Sequence, residues 1–266
     1  MLLHYKNQAC PELAKLFRED PITWSVLLKI LQEPCRDILT DHQNVIVCYS
    51  EPPYPVWIWC RDAENSEAVM DIACCLKERL PLETIRACIL PEAVVEKLMK
   101  ADPYFRDVKP GMGLLSYRLH RILPLTHSCE GYMRLVEASE IPGLLDVWGE
   151  MHMEMEGVDK GREHNLKTIT RMVNARTLFA WRTDAGIVAL TARADQREYG
   201  KITSVYTLPK HRRRGYAISL VHRVTETILD DGLIPILYTD AAYGASNDCY
   251  RKIGYEQVDS LVSICK

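Results

Sequence analysis

The chain has 266 residues, 47% of them apolar and 26% charged, with a formal net charge of −3. That size and balance suit a globular protein with room for two domains. The slight negative charge speaks against a general nucleic-acid binder, no run reaches membrane-span length, and Met-Leu-Leu-His-Tyr-Lys is too polar to open a signal peptide.

In the first half, residues 11–32 are expected to be helical, with a break at Asp20-Pro21. Apolar runs at 44–49 and 56–60 predict strands, joined across the proline-rich Glu51-Pro-Pro-Tyr-Pro55. Residues 66–79 carry helical periodicity through Val69, Ile72, Ala73 and Leu76. A strand at 85–90, a helix at 91–100 and a strand at 114–120 complete an α/β domain, residues 1–125, smaller than the one that follows. Residues 122–131 lack a period and carry turn formers, which predicts a boundary.

The second domain, residues 131–266, opens with a strand at 132–136. A helix follows from about Glu140, with Ser139 as N-cap and Ile141, Leu144, Leu145, Trp148 and Met155 on its apolar face. A second helix is expected at 162–174, then strands at 178–182 and 187–193 around Thr183-Asp-Ala-Gly186. A strand at 201–208, a helix from the end of the arginines to Gly232, a strand at 234–239, a helix at 245–253 and a strand at 257–264 finish the chain. The order is β-α-α-β-β-β-α-β-α-β. Ten cysteines show no Cys-x-x-Cys pair and several sit inside apolar runs, so reduced thiols in a cytoplasmic protein without a metal site are expected.

The most informative stretch is Pro209-Lys-His-Arg-Arg-Arg-Gly-Tyr-Ala217. It places a strand, a basic glycine turn and a helix in succession. A helix N-terminus has free N–H donors and partial positive charge, so Lys210, Arg212, Arg213 and Arg214 are unfavourable there without an anion. Backbone amides around Gly215 and several guanidiniums make a pyrophosphate cradle.

Three features in register, Val205-Tyr-Thr-Leu-Pro209, the turn, and Ser246-Asn-Asp-Cys-Tyr250-Arg-Lys-Ile-Gly-Tyr255, resemble the GNAT superfamily of acyl-CoA-dependent N-acyltransferases. The resemblance covers residues 131–266 and implies a GNAT-type mixed sheet there; the first half, a similar α/β run without a cradle, is expected to be a degenerate GNAT-like copy or a cap that helps shape the acceptor site. It implies that the strand before the turn splays from its neighbour and admits acetyl-CoA. Backbone groups of Val205, Tyr206 and Thr207 would then hold the pantetheine arm, and Arg212, Arg213, Arg214, Gly215, Tyr216, Ala217 and Ile218 the pyrophosphate. Tyr250 stands at the position of the family's tyrosine acid. The family often has asparagine where this chain has Tyr243; Asn247 is the substitute pantetheine contact.

A phenol with a reference pKa near 10 suits the leaving thiolate, whose parent thiol lies near about 8.5. The base stays open among His152, Glu154, Glu156 and Asp240, and Met151-His-Met-Glu-Met-Glu156 is a candidate acceptor-side segment. Cys249 has no His or Asp partners in sequence and reads as a packing residue. The expected reaction is direct attack of a primary amine on acetyl-CoA in a ternary complex. Transfer of longer acyl chains to an amino acid such as glycine, and a non-catalytic acyl-CoA sensor, remain open, as does the oligomeric state.

Overall fold

The computed structural model describes residues 2–126 and 129–266, with every side chain in that range except that of Glu156. The chain forms two compact units that interleave along the sequence. The first holds the chain up to Tyr117 together with Thr239–Gly244 and Gln257–Lys266; the second holds Arg118–Tyr238 and Ala245–Glu256.

The first half runs β1 (Leu3–Gln8), a 3-10 segment (Pro11–Phe17), α1 (Ser25–Ile30), β2 (Cys35–Thr40), β3 (Val45–Tyr49), β4 (Val56–Cys60), α2 (Ser66–Cys74), β5 (Cys88–Pro91), α3 (Glu92–Ala101) and β6 (Lys109–Leu119). The second half runs β7 (Tyr132–Leu135), α4 (Ile141–Glu156), α5 (Arg162–Asn174), β8 (Leu178–Thr183), β9 (Gly186–Gln196), β10 (Tyr199–Thr207), α6 (Tyr216–Asp230), β11 (Ile234–Asp240), α7 (Gly244–Ile253) and β12 (Tyr255–Cys265). Both halves therefore share one order, with α2 in the place of α6.

In the first unit the antiparallel ladder β1-β2-β3-β4 continues through the parallel pair Val56↔Cys88 and Trp57↔Ile89 to β5, which pairs with Leu261–Ile264 of β12. The sheet is covered on both faces. Val45, Val47 and Ile58 meet Ile72, Leu76 and Leu98 on one side, while Ile46, Cys48, Trp57 and Trp59 meet Leu13, Phe17 and Leu27 on the other. Burial on both faces is why β3 and β4 read as unbroken apolar runs. Two strands escape the sequence reading: β1, whose residues are nearly all exposed, and β2, which carries Arg36 and Asp37. β1 is the edge strand, where only weak apolar patterning is required; β2 pairs on both sides and is buried except at Arg36, but Arg36 and the buried Asp37 interrupt its apolar run. The helix expected over 66–79 is regular only to Cys74 and closes with a wider π-type turn at Cys75–Arg79.

In the second unit β10 lies between β11, parallel to it, and β9, antiparallel; β8 and β7 follow. Ile141, Leu144, Leu145, Trp148 and Met151 of α4 pack with Ile169, Leu178, Leu190 and Tyr206. Burial of each large apolar side chain contributes about 1.5–3 kcal/mol. Leu220, Val221, Val224 and Ile228 of α6 are likewise fully buried. Two expectations for α4 need correction. Met155 points outward and is exposed. Ser139 sits inside a 3-10 turn that precedes α4; the N-terminal cap is the reciprocal pair Glu137 and Glu140, which satisfies more free amides than a serine does. All ten cysteines are free thiols. Among the described residues no helix is long and apolar enough to cross a membrane, and no cluster of His, Cys, Asp and Glu is arranged for a metal.

Candidate functional site

The site is built around the end of β10. The parallel ladder with β11 runs from Tyr199↔Ile234 to Ile202↔Leu237 and stops there, five residues before β10 ends. At the same point the antiparallel register with β9 shifts between Thr203 and Tyr206, and Ser204 takes a left-handed φ of 53°. A bulge of this kind bends the strand and re-aims its groups. Val205 and Thr207 are half-buried beyond it, while Tyr206 is buried against α4 and α5. Burial, assisted by the charge of Glu154, pushes the Tyr206 phenol up.

The chain then turns through Pro209–His211 into α6. Arg213 has φ 61° and Gly215, the residue before the helix, has φ 81°. A turn with left-handed residues this close together is the backbone setting in which an anion-binding nest of amides forms. No side chain caps α6, so the first-turn amides at Tyr216, Ala217 and Ile218 keep their donors. The equivalent helix in the first half is closed: Asn65 accepts from the amides of Glu67 and Ala68. That half therefore has no open helix terminus at the matching position.

The cations of the turn divide. Lys210, Arg213 and Arg214 are exposed, and none of the three has an ion pair among the described residues. Arg214 lies beside the hydroxyl of Tyr216, which donates to Glu130 Oε1 at 2.8 Å. Arg212 points elsewhere. Its Nε donates to Thr207 O at 3.0 Å, its Nη2 to Glu154 Oε2 at 2.6 Å, and its guanidinium lies 5.4 Å from the Tyr206 ring. Of the expected pyrophosphate group, Arg212 is thus tied to α4, and the nest, Arg213 and Arg214 form the open part.

Beside Tyr206 and Pro209 lies a groove of about 720 Å³, lined also by Leu145, Asp146, Gly149, Glu150, Met153 and Glu154 of α4 and by Asp159, Arg162 and Asn165. Its acidic wall escaped the sequence reading, apart from Glu154. The signal was present: Asp146, Glu150 and Glu154 recur every four residues and so share one helix face.

Asn247 and Tyr250 share the buried face of α7, with the Tyr250 ring 6.3 Å from Tyr255 at a steep angle. Tyr255, at the start of β12, in turn hydrogen-bonds Thr225 of α6 at 2.9 Å. Tyr243 is exposed. Among the base candidates, Glu154 lines the groove, His152 is buried between Trp148 and His164, and Asp240 accepts from the amide of Ala242 at a strand end; the side chain of Glu156 lies outside the described residues. Burial pushes the Cys249 thiol up to about 12, which disfavours a thiolate there.

Residues 182–263 match the family model described as FR47-like protein. No curated protein matches by sequence. Among solved structures the chain is similar to a GCN5-related N-acetyltransferase from Sphaerobacter thermophilus, at 14% identity and a TM-score of 0.70, covering 99% of this chain and 94% of that one. It is similar to a GNAT-family acetyltransferase from Colwellia psychrerythraea at 11% identity and TM-score 0.58, covering 86% and 84%. A GCN5-related N-acetyltransferase from Kribbella flavida aligns at 13% identity and TM-score 0.57, covering 96% and 94%. The chain has the GNAT acetyltransferase fold across both halves.

Proposed function

We propose that the protein is an acyl-CoA-dependent N-acyltransferase that moves an acetyl group from acetyl-CoA to a primary amine. One observation carries the reading: β10 leaves its parallel partner at a bulge and runs directly into an uncapped helix start lined by Arg213, Gly215 and free amides. That succession offers backbone groups to an extended amide-bearing arm and then donors to a pyrophosphate.

In this reading the freed edge of β10 at Val205–Thr207 holds the pantetheine arm, with Asn247 as a further contact. The nest and the first turn from Gly215 to Ile218, with Arg213 and Arg214, hold the pyrophosphate. The neutral amine attacks the thioester carbon, the carbon–sulfur bond breaks, and the amine proton leaves to a base on the groove side, for which Glu154 is the best-placed candidate. Tyr250 donates its proton to the departing sulfur, and the product is the amide plus free CoA thiol. Both substrates are held together in a ternary complex, and the attack is direct.

The test is a thiol-release assay crossing short and long acyl-CoAs with amines, amino acids and peptides. Release with acetyl-CoA and an amine supports the reading. Preference for long chains with glycine identifies an amino-acid acyltransferase instead. Tight CoA binding with no thiol release from any pair identifies a non-catalytic binder.

A further inference from the structure

Four carboxylates line the groove beside β10, and their partners are unequal. Asp146 is paired with Arg162 at 2.8 Å and Glu154 with Arg212 at 2.6 Å. Glu150 and Asp159 have no ion pair among the described residues, although one oxygen of Asp159 accepts the Gly161 amide at 2.8 Å. Charge alone does not make a site, since acidic helix faces are commonly just solvated.

A second observation comes from Asn165, which lines the same groove and is only 2% exposed. Its Nδ2 lies 3.5 Å from Leu145 O, and its Oδ1 is buried with no hydrogen-bond partner among the described residues. A buried carbonyl oxygen without a donor is costly, and few native proteins leave one unexplained. Among the described residues, the groove thus offers two exposed carboxylates without an ion pair and one buried amide oxygen without a donor. What satisfies all three is a ligand rich in N–H donors and positive charge. A carboxylate-bearing amine meets repulsion from the same wall.

Spacing and volume narrow the ligand further. Asp146, Glu150 and Glu154 stand on one face of α4 at steps of about 6 Å along the helix axis. Asp146 and Glu154 already hold guanidiniums, so Glu150 is the open rung for an ammonium group, and a short alkyl spacer from it reaches the Glu154 end of the groove. The groove's 720 Å³ is the size of a small-molecule site.

We infer that the acceptor is a small linear diamine or polyamine: Glu150, Asp159 and Asn165 hold its distal ammonium while the reacting amine lies toward Glu154 and Tyr206. This rests on the acyltransferase reading above. The distal ammonium stays protonated throughout; only the reacting amine is deprotonated, and its proton leaves as already described.

The experiment has a binding arm and a turnover arm. Calorimetric titration of the full chain with 1,4-diaminobutane, spermidine, butylamine and glycine is expected to rank the polyamines first. Glu150→Gln combined with Asp159→Asn is expected to weaken spermidine binding tenfold or more while leaving acetyl-CoA affinity within about twofold. Retained acetyl-CoA affinity and an unchanged unfolding midpoint in the double variant show that a loss of spermidine binding does not reflect unfolding. In turnover with acetyl-CoA, kcat/KM for spermidine should exceed that for glycine by a hundredfold or more. Polyamine binding without thiol release overturns the acyltransferase reading and leaves the groove's specificity standing. Thiol release with glycine or butylamine at rates equal to spermidine, or spermidine binding unchanged in the double variant, overturns the inference.

Discussion

Arg212 and Glu154 join the two sides of the candidate site: Nη2 of Arg212 donates to Oε2 of Glu154 at 2.6 Å while its Nε holds Thr207 O at 3.0 Å. The pair links the basic turn to the groove face of α4. With side chains 39% and 43% exposed, it contributes only about 0.2–1 kcal/mol to stability. Its larger consequence is for charge, because it holds one guanidinium away from the nest. Glu154→Gln is therefore expected to leave the unfolding midpoint nearly unchanged and to tighten acetyl-CoA binding by up to about fivefold. Turnover should fall in the same variant. Calorimetry and thiol release on one preparation separate the two effects.

Arg213 and Arg214 are the cations left facing solvent at the helix start. Charge-assisted hydrogen bonds are worth roughly twice neutral ones, so losing two should weaken acetyl-CoA binding about a hundredfold. Arg213→Ala with Arg214→Ala should also flatten the dependence of that affinity on ionic strength. Unchanged affinity would exclude the turn as a pyrophosphate site.

Two glycines of this region act by different physics. Gly215 has φ 81°, yet a Cβ there meets nothing closer than Cys129 Cβ at 3.8 Å. Gly215→Ala should cost about 1–2 kcal/mol through backbone conformation alone, with acetyl-CoA binding impaired. A Cβ at Gly200 would overlap Ile228 Cγ2 in α6, or else force α6 away from β10. Gly200→Ala should cost about 1–3 kcal/mol by overpacking. Urea unfolding of both variants measures the pair.

Tyr250→Phe removes the hydroxyl and keeps the ring against Tyr255. Turnover should drop by about 10²–10⁴-fold, the usual range for a positioned acid, with acetyl-CoA affinity close to the parent's. Full turnover would remove Tyr250 from that role.

Glu140 anchors α4 to the neighbouring strands through Arg134 at 2.7 Å, Arg182, and the amide of Glu137 at 3.0 Å. Burial pulls its carboxyl up, but the Glu137 amide and the two arginines outweigh burial and hold it below the ordinary range. A depressed carboxyl stabilises the fold above its unfolded pKa and loses that contribution as pH falls through the folded one. Glu140→Gln should cost about 1.5–3 kcal/mol at neutral pH and make stability less steep on the acid side. Chemical denaturation across an acid series reads both.

Elements with two buried faces or a strong helical stripe were legible in the chain itself. The strands β3 and β4 fall within a residue of expectation, because a core on each face leaves no room for polar interruption, and the helix at 162–174 matches its expected bounds. The edge strand β1, with only Tyr5 partly buried, left no such trace. The bulge at Ser204 was equally silent, since serine carries no local signal for a left-handed φ. Arg212 reads in sequence like its two neighbours, and only the fold brings Glu154, 58 residues away, within reach to claim it.

The basic turn, its glycine and the order of elements around it are local facts, determined by residues close in sequence, and they point to an anion at the start of α6. Which arginines stay free for that anion was decided by tertiary structure. So was the acidic groove with Asn165 buried in its wall. Partnership and burial depend on residues far apart in the chain, and only packing brings those together.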